Sequence, residues 1–393
     1  MQDNHLEQNI EALKSAIYCW AQQHDLWFDC GFKSWMEHYE DEPPEDPCVL
    51  LLWSDGSLGE VLDGYHSSEL LDSFNELIGN SGYWYELEKP GLASFLVDDN
   101  DELNEAYREY FEWQWICDLI QSDFSNLYEE IYEWFQSHPN HLYDLAPRKF
   151  EILLDGIFQN NGYRTQLGSG QADGGVDLRL YSNDVIGEAV TLVQAKRYTE
   201  SNPIRLEAVQ ALSAAVEDER ANRGLFVTTS RYLPCAERFA ARQNRRIQLA
   251  TSNDVSCWSS YAVERIIRDK SRLVTPDHVK SLLNSKSASN TLEGKIFRAN
   301  TGYTVILNTF ALMLRESGGA ALLMKLPTTS VSGNSLQGYE VPDIGAAALD
   351  YLDAEHVFRA KKQYKDNGDL YLWGDQSLYS PWDGTPQRYD YLD

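Results

Sequence analysis

The stretch GSGQADGGVD, residues 168–177, limits what can surround it more than any other part of this chain. Its ten residues hold four glycines and end on one carboxylate, Asp177, flanked by Val176 and Leu178. A loop this permissive cannot lie inside a helix or a strand, because glycine loses most conformational entropy on ordering. Directly after it, Val176, Leu178 and Leu180 alternate with Asp177, Arg179 and Tyr181, the period of a half-buried strand. The loop therefore delivers a carboxylate into the first position of rigid structure.

The residues around the loop read as alternating helices and strands. Pro147 suits the first turn of a helix, and Phe150, Leu153, Leu154, Ile157 and Phe158 follow the spacing of one buried face. Gly162 suits the position just past that helix. A short strand is expected at Tyr163–Leu167, then strands at 176–181 and 189–198 with a turn at Asn183-Asp184 and Gly187. A helix at 204–221, a strand at 224–230, a helix at 234–246 and a strand at 247–250 complete an α/β layer arrangement with one hairpin in its sheet.

Within the strand 189–198, Gln194 and Lys196 are two residues apart and share one face. A lysine among Val and Leu is costly to bury without a partner. The neighbouring strand offers Asp177. The preceding helix offers Glu151, at the margin of the stripe that begins with Phe150. Two carboxylates, an amide oxygen and a lysine are thus expected to converge. Such a set suits phosphodiester hydrolysis. Asp177, Gln194 and Glu151 supply oxygen ligands for a hard divalent cation, Glu151 directly or through water, and Lys196 orients the attacking water and stabilises charge in the transition state.

Residues 147–250 resemble the Mrr-type restriction endonuclease domain, the QxK branch of the PD-(D/E)xK nuclease superfamily. The resemblance rests on four pieces in matching order: RKFEILLDGIFQNNGY (148–163), GSGQADGGVDL (168–178), VQAKRY (193–198) and GLFVTTSRYLPCAERFA (224–240). It covers roughly a quarter to a third of the chain. It implies a restriction-endonuclease-like core, a mixed β-sheet flanked by helices, with Asp177, Gln194, Lys196 and Glu151 as catalytic residues. It further implies Mg²⁺ as cofactor with Mn²⁺ able to substitute, DNA as substrate, a role in prokaryotic defence against foreign or modified DNA, and a homo-oligomer, since two strands need two sites. The last strand reads LATSND, where the family often has a short glycine turn. Two other functions remain open on this sequence: a repair or recombination nuclease of the same fold, and a non-catalytic nucleic-acid-binding regulator.

Several residues carry two readings each. Singly, Asp177 is also a strand-start turn residue, Lys196 an edge-strand charge, and Glu151 a helix-dipole partner. Thr228, Thr229 and Ser230 serve β-propensity and helix capping, the reading slightly favoured, or contact a DNA phosphate. Gln171 and Asp173 shape the turn or face DNA. Arg197 is a further candidate for the DNA backbone. Arg242, Arg245 and Arg246 suit a helix C-terminus or a phosphate.

Charge divides the chain. The net charge is −28, and residues 1–140 hold 31 of the 61 acidic but only 4 of the 33 basic residues, whereas 141–260 hold 14 of each. The expected domains are therefore an acidic, mainly helical domain with a β-hairpin (1–140), the nuclease domain (141–260) and an α+β C-terminal region (261–393). The first of these reads as a solvated surface. It also fits a nucleic-acid mimic that holds the nuclease site shut, or a dock for a basic partner or for self-association.

In the flanks, helices are expected at 6–22, 101–136 with a break near 122–124, 261–272 and 276–284, and 49–62 reads as a hairpin turning at Asp55-Gly56. Residues 40–47, EDEPPEDP, read as a loop. The remainder after 290 mixes short strands and turns in no assignable fold. LLLWSDGSL (50–58) and LYLWGDQSL (370–378) share one pattern, best read as chance. No run of about 18 apolar residues exists, MQDNHLEQN lacks the features of a signal peptide, and the six scattered cysteines form no CxxC pair. The expectation is a cytoplasmic protein with free thiols and no membrane partner.

Overall fold

The computed structural model describes all residues except 1, 40–42, 121–126, 171–174, 185–186, 200, 285–290, 301, 303–304, 318, 366 and 393. The chain forms two compact units, Met1–Asp118 and Leu119–Asp393.

The first unit runs α1 (Gln2–Gln23), β1 (Cys30–Lys33), α2 (Trp35–Tyr39), β2 (Leu50–Ser54), α3 (Ser57–Leu62), α4 (Ser68–Asn80), β3 (Tyr83–Lys89), β4 (Leu92–Val97) and α5 (Asp101–Leu119). Its four strands form one antiparallel sheet in the order β1-β2-β4-β3. Leu13, Ile17, Leu52, Phe74, Phe95 and Tyr107 meet in its core. The hairpin expected at 49–62 is not formed. Residues 50–54 are a strand and 57–62 a helix, because Leu58, Val61 and Leu62 fall at helical spacing and all three are buried. The Gly59 N–H donates to Ser54 Oγ at 2.9 Å, folding the helix back on the strand end. The hairpin of this unit is instead β3–β4.

The second unit begins with α6 (Glu130–Ser137) and a 3₁₀ turn at Pro139–Tyr143. There follow α7 (Pro147–Asn160), β5 (Arg164–Leu167), β6 (Leu178–Asp184), β7 (Gly187–Lys196), α8 (Leu206–Asp218), β8 (Arg223–Thr228), α9 (Pro234–Arg242) and β9 (Ile247–Ala250). The five strands make one mixed sheet in sequential order. β5, β6 and β7 are antiparallel neighbours, and β7, β8 and β9 run parallel. This is the α/β arrangement read from the periodicities. Helix α7 packs on β5, β6 and β7, while Val209, Leu212 and Val216 of α8 and Ala236 and Ala240 of α9 cluster with Leu192 of β7 and Phe226 of β8.

Helix α10 (Ser252–Leu273) starts nine residues before the expected 261. Asp254 Oδ2 accepts the backbone N–H of Thr251 at 2.8 Å and its hydroxyl at 3.1 Å, so the SND of LATSND opens a helix. The expected helix 101–136 is divided into α5 and α6, and its proposed break at 122–124 lies outside the described residues.

After α11 (Pro276–Asn284) the chain is almost all β. Strands β10 (Ile296–Asn300), β11 (Asn308–Glu316) and β12 (Ala320–Leu326) are followed by β13 (Thr328–Gly333) and β14 (Gln337–Pro342). Then come β15 (Val357–Tyr364), β16 (Leu370–Gly374), β17 (Ser377–Pro381) and β18 (Gln387–Asp390). β10-β11-β12-β15-β16-β17 close into a barrel around Phe297, Met313, Leu323, Leu372 and Tyr379, and β13-β14-β18 form a separate sheet. Closure removes sheet edges. The six cysteines are free thiols, and no helix among the described residues is long and apolar enough to cross a membrane.

Candidate active site

The glycine loop meets the sheet where β6 begins. Gly168 N–H donates to Asp177 O at 2.7 Å, and Asp177 N–H donates to Val193 O at 2.9 Å, so the loop closes on itself as it joins β7. In the register of the pair, Leu178 lies opposite Val193. One residue earlier the β6 backbone departs, and the next inward N–H of β7, that of Ala195, needs another acceptor. Asp177 supplies it: Oδ2 accepts from Ala195 N–H at 2.7 Å. The carboxylate is thereby fixed between Gln194 and Lys196 of β7. Only 7 % of Asp177 is exposed.

Gln194 is equally buried, at 7 %, and among the described residues its Oε1 has no hydrogen-bond partner. A buried amide oxygen left unpaired is costly and calls for a ligand. Its Nε2 lies against Gly175, where φ is +84° and a Cβ would come within 2.9 Å. Glycine at 175 thus serves two needs, a left-handed backbone and room for the Gln194 amide. Lys196, the last residue of β7, is half-buried, and its carbonyl accepts from Thr228 Oγ1 at 2.8 Å. Among the described residues its ammonium has no ion pair.

Glu151 lies on α7, beside Phe150 of the buried stripe. Its side chain is 14 % exposed and Oε2 accepts from Arg148 Nη1 at 2.7 Å. Arg148 stands next to Gly170 of the glycine loop. The structure therefore brings Asp177, Gln194 and Lys196 together at one end of β6 and β7, and holds Glu151 on the packing helix in an ion pair with Arg148. Among the described residues no three His, Cys, Asp or Glu side chains cluster as a metal site. The candidate donors are instead two carboxylates and an amide.

The residues considered for DNA contact are variously placed. Thr229 Oγ1 accepts from Tyr198 N at 2.9 Å and donates to Tyr198 O at 2.7 Å. Ser230 Oγ donates to Asn202 O at 3.0 Å. These hydroxyls tie the segment after β8 to the segment after β7. Arg197 Nη1 donates to Tyr143 O at 2.5 Å, while its buried Nε has no partner among the described residues. Gln171 and Asp173 lie outside the described residues.

One carboxyl near the site escaped the sequence reading. Asp155, one turn after Glu151, is 7 % exposed. Its Oδ2 accepts from Gln159 Nε2 at 2.8 Å, and among the described residues its Oδ1 has no partner. Burial raises its pKa above the ordinary carboxylate value, against the lowering effect of hydrogen bonds from Thr165 and Gln159. The signal was an acid inside the apolar run LLDGIF.

A family model for the catalytic domain Mrr_cat, described as a restriction endonuclease, matches residues 142–258. Over 104 residues the chain is 33 % identical to the type IV methyl-directed restriction enzyme EcoKMrr of Escherichia coli (strain K12). That likeness covers 25 % of this chain and 33 % of the relative, so the chain spans about a third of the relative's length. Distant structural neighbours include the MspJI restriction endonuclease in complex with a 27-mer oligonucleotide, at 22 % identity over 35 % of this chain and 30 % of that one, TM-score 0.23. Another is the DNA modification-dependent restriction endonuclease AspBHI, at 16 % identity over 48 % and 60 % of the two chains, TM-score 0.27. From the end of the 3₁₀ turn before α7 to the first turns of α10, residues 142–258 thus match an Mrr-type restriction endonuclease domain.

Proposed function

We propose that this protein is a divalent-metal-dependent DNA endonuclease acting in prokaryotic restriction of foreign or modified DNA in the cytoplasm. The observation that supports it most is the Asp177 carboxylate pinned to Ala195 N–H, beside the unpartnered Oε1 of buried Gln194 and two residues from Lys196. The donor set fits a hard cation such as Mg²⁺, with Mn²⁺ as substitute, because every donor is oxygen. Asp177 and Gln194 would hold it, with Glu151 joining directly or through water once Arg148 releases its carboxylate. When bound, the cation supplies Lewis-acid polarisation of the phosphoryl oxygen and a lowered pKa for water. Asp177, fixed by the backbone, keeps its geometry without relying on a mobile side chain. Lys196 donates hydrogen bonds to the developing phosphoryl charge and orients the attacking water. Cutting both strands calls for two copies of the chain, so the working form is a homo-oligomer.

Nicking of supercoiled plasmid measures this. With Mg²⁺ or Mn²⁺ the wild type should nick and EDTA should stop it. Asp177→Ala and Lys196→Ala should each slow nicking by about 100-fold or more. Cleavage that survives both substitutions would discard the assigned site. A wild type that binds DNA but never cuts would favour the non-catalytic regulator instead.

A further inference from the structure

Beyond Lys196 and Thr228 the chain does something the catalytic chemistry does not require. The segments after β7 and β8 stay side by side. Thr229 holds both backbone groups of Tyr198, and Ser230 holds Asn202. The two segments then meet in a parallel bridge, Ile204 opposite Tyr232, with Ile204 N–H donating to Arg231 O at 2.8 Å and Leu233 N–H to Ile204 O at 3.0 Å. Ile204 and Tyr232 are buried, at 1 % and 7 % exposure. Their chain neighbours Arg205 and Arg231 therefore point the other way, to the same outer face, and both are exposed.

The parallel bridge sets the two arginines diagonally across the paired segments, two residues apart along the chain direction, so one face carries two cations. Among the described residues neither arginine has an ion pair. The acids in the first turns of α8 and α9, Glu207 and Glu237, are exposed and pair with neither of them. Arg205 also occupies the N-cap of α8, where a short polar acceptor is the common choice, and no side chain caps that helix. Two exposed cations on one face offer positive charge to an anion that lies across both segments.

We infer that Arg205 and Arg231 form a docking site for the sugar–phosphate backbone of duplex DNA, adjacent to the scissile phosphate. The inference rests on the nuclease reading above. Arg231 follows Thr228, the register partner of Lys196, by three residues. Three extended residues span at most roughly 10 Å, and phosphates along one strand recur about every 3.4 Å of helix axis. The Arg231 backbone thus falls within a few phosphates of the catalytic lysine, and the Ile204–Tyr232 bridge brings Arg205 onto the same face. Contacts of this kind fix register and carry no sequence information.

The test is binding by the full chain to a labelled 30-base-pair duplex, followed by fluorescence anisotropy in EDTA so that no cleavage intervenes, at several NaCl concentrations. Arg205→Gln and Arg231→Gln should each reduce the slope of log K against log salt by about 0.9. The double variant should bind about tenfold more weakly at 100 mM salt with circular dichroism unchanged. Arg268→Gln, an exposed arginine on α10, serves as control and should leave both quantities unchanged. A double variant with wild-type slope and affinity, or a control that costs as much, overturns the inference while wild-type nicking leaves the nuclease reading standing. A wild type that neither binds nor nicks DNA overturns both.

Discussion

At the scale of single residues, the candidate site depends on small groups that make room for larger ones. Gly175 is the clearest case. Alanine there would adopt an unfavourable positive φ and press on Gln194 Nε2. Because that contact is with the end of a flexible side chain, the fold should survive while the amide turns aside. Gly175→Ala should therefore lower the Mg²⁺-dependent nicking rate by roughly tenfold, with a loss of stability near 1 kcal/mol. Rate and melting temperature measured together check this; an unchanged rate would remove Gln194 from the proposed ligand set. Asp177 and Lys196 were legible as a pair because a strand period of two and a neighbouring strand start are sequence features. The hydrogen bond from Ala195 N–H was not, since it depends on where β6 leaves the ladder.

At the scale of elements, identical local patterns take different forms. LLLWSDGSL becomes β2 followed by α3, while LYLWGDQSL becomes the hairpin β16–β17. In the hairpin, Asp375 and Gln376 both have positive φ, at 49° and 54°, as a two-residue turn matching strand twist requires. In the first copy, Gly56 packs against the Phe28 carbonyl, where a Cβ would come within 2.4 Å, and the residues after it have helical spacing. The flanking residues decided, not the shared motif. The ties between the segments after β7 and β8 are another element-scale feature. Thr229→Val removes both bonds to the Tyr198 backbone and should cost about 1 kcal/mol in urea denaturation. A normal stability with weakened DNA binding would instead show that the hydroxyl serves a phosphate.

At the scale of the whole second unit, a half-buried ionic seam joins the helices around the nuclease sheet to the barrel. Arg359 of β15 donates through Nη1 to Glu130 Oε2 of α6 at 2.7 Å, and stacks over Tyr128. Lys270 of α10 pairs with Glu129. Burial alone would raise the Glu130 pKa, but the hydrogen bond and charge of Arg359 outweigh it and hold Glu130 below the ordinary carboxylate value. Arg359→Ala leaves that carboxylate half-stranded and should cost about 2 kcal/mol near neutral pH. A depressed folded pKa contributes stability above the unfolded value, about 4.3, which is lost as pH falls through the folded one. The difference between wild type and variant should therefore shrink at pH 3.5 relative to pH 7, as read from chemical denaturation at the two values. A gap that does not change with pH would remove Glu130 from the seam.

A family resemblance marked Asp177, Gln194, Lys196 and Glu151 as candidates, and by itself the sequence determined the α/β order of residues 147–250 and the buried stripe of α7. These are written in periods and spacings that need only neighbours along the chain. Only the tertiary structure decided that residues 57–62 are helix, that the chain after 290 closes into a barrel, and that Arg148 holds Glu151. It alone brought Arg205 and Arg231 to one face of the paired segments. Each of these depends on contacts between residues far apart in sequence, where burial and register outweigh local preference.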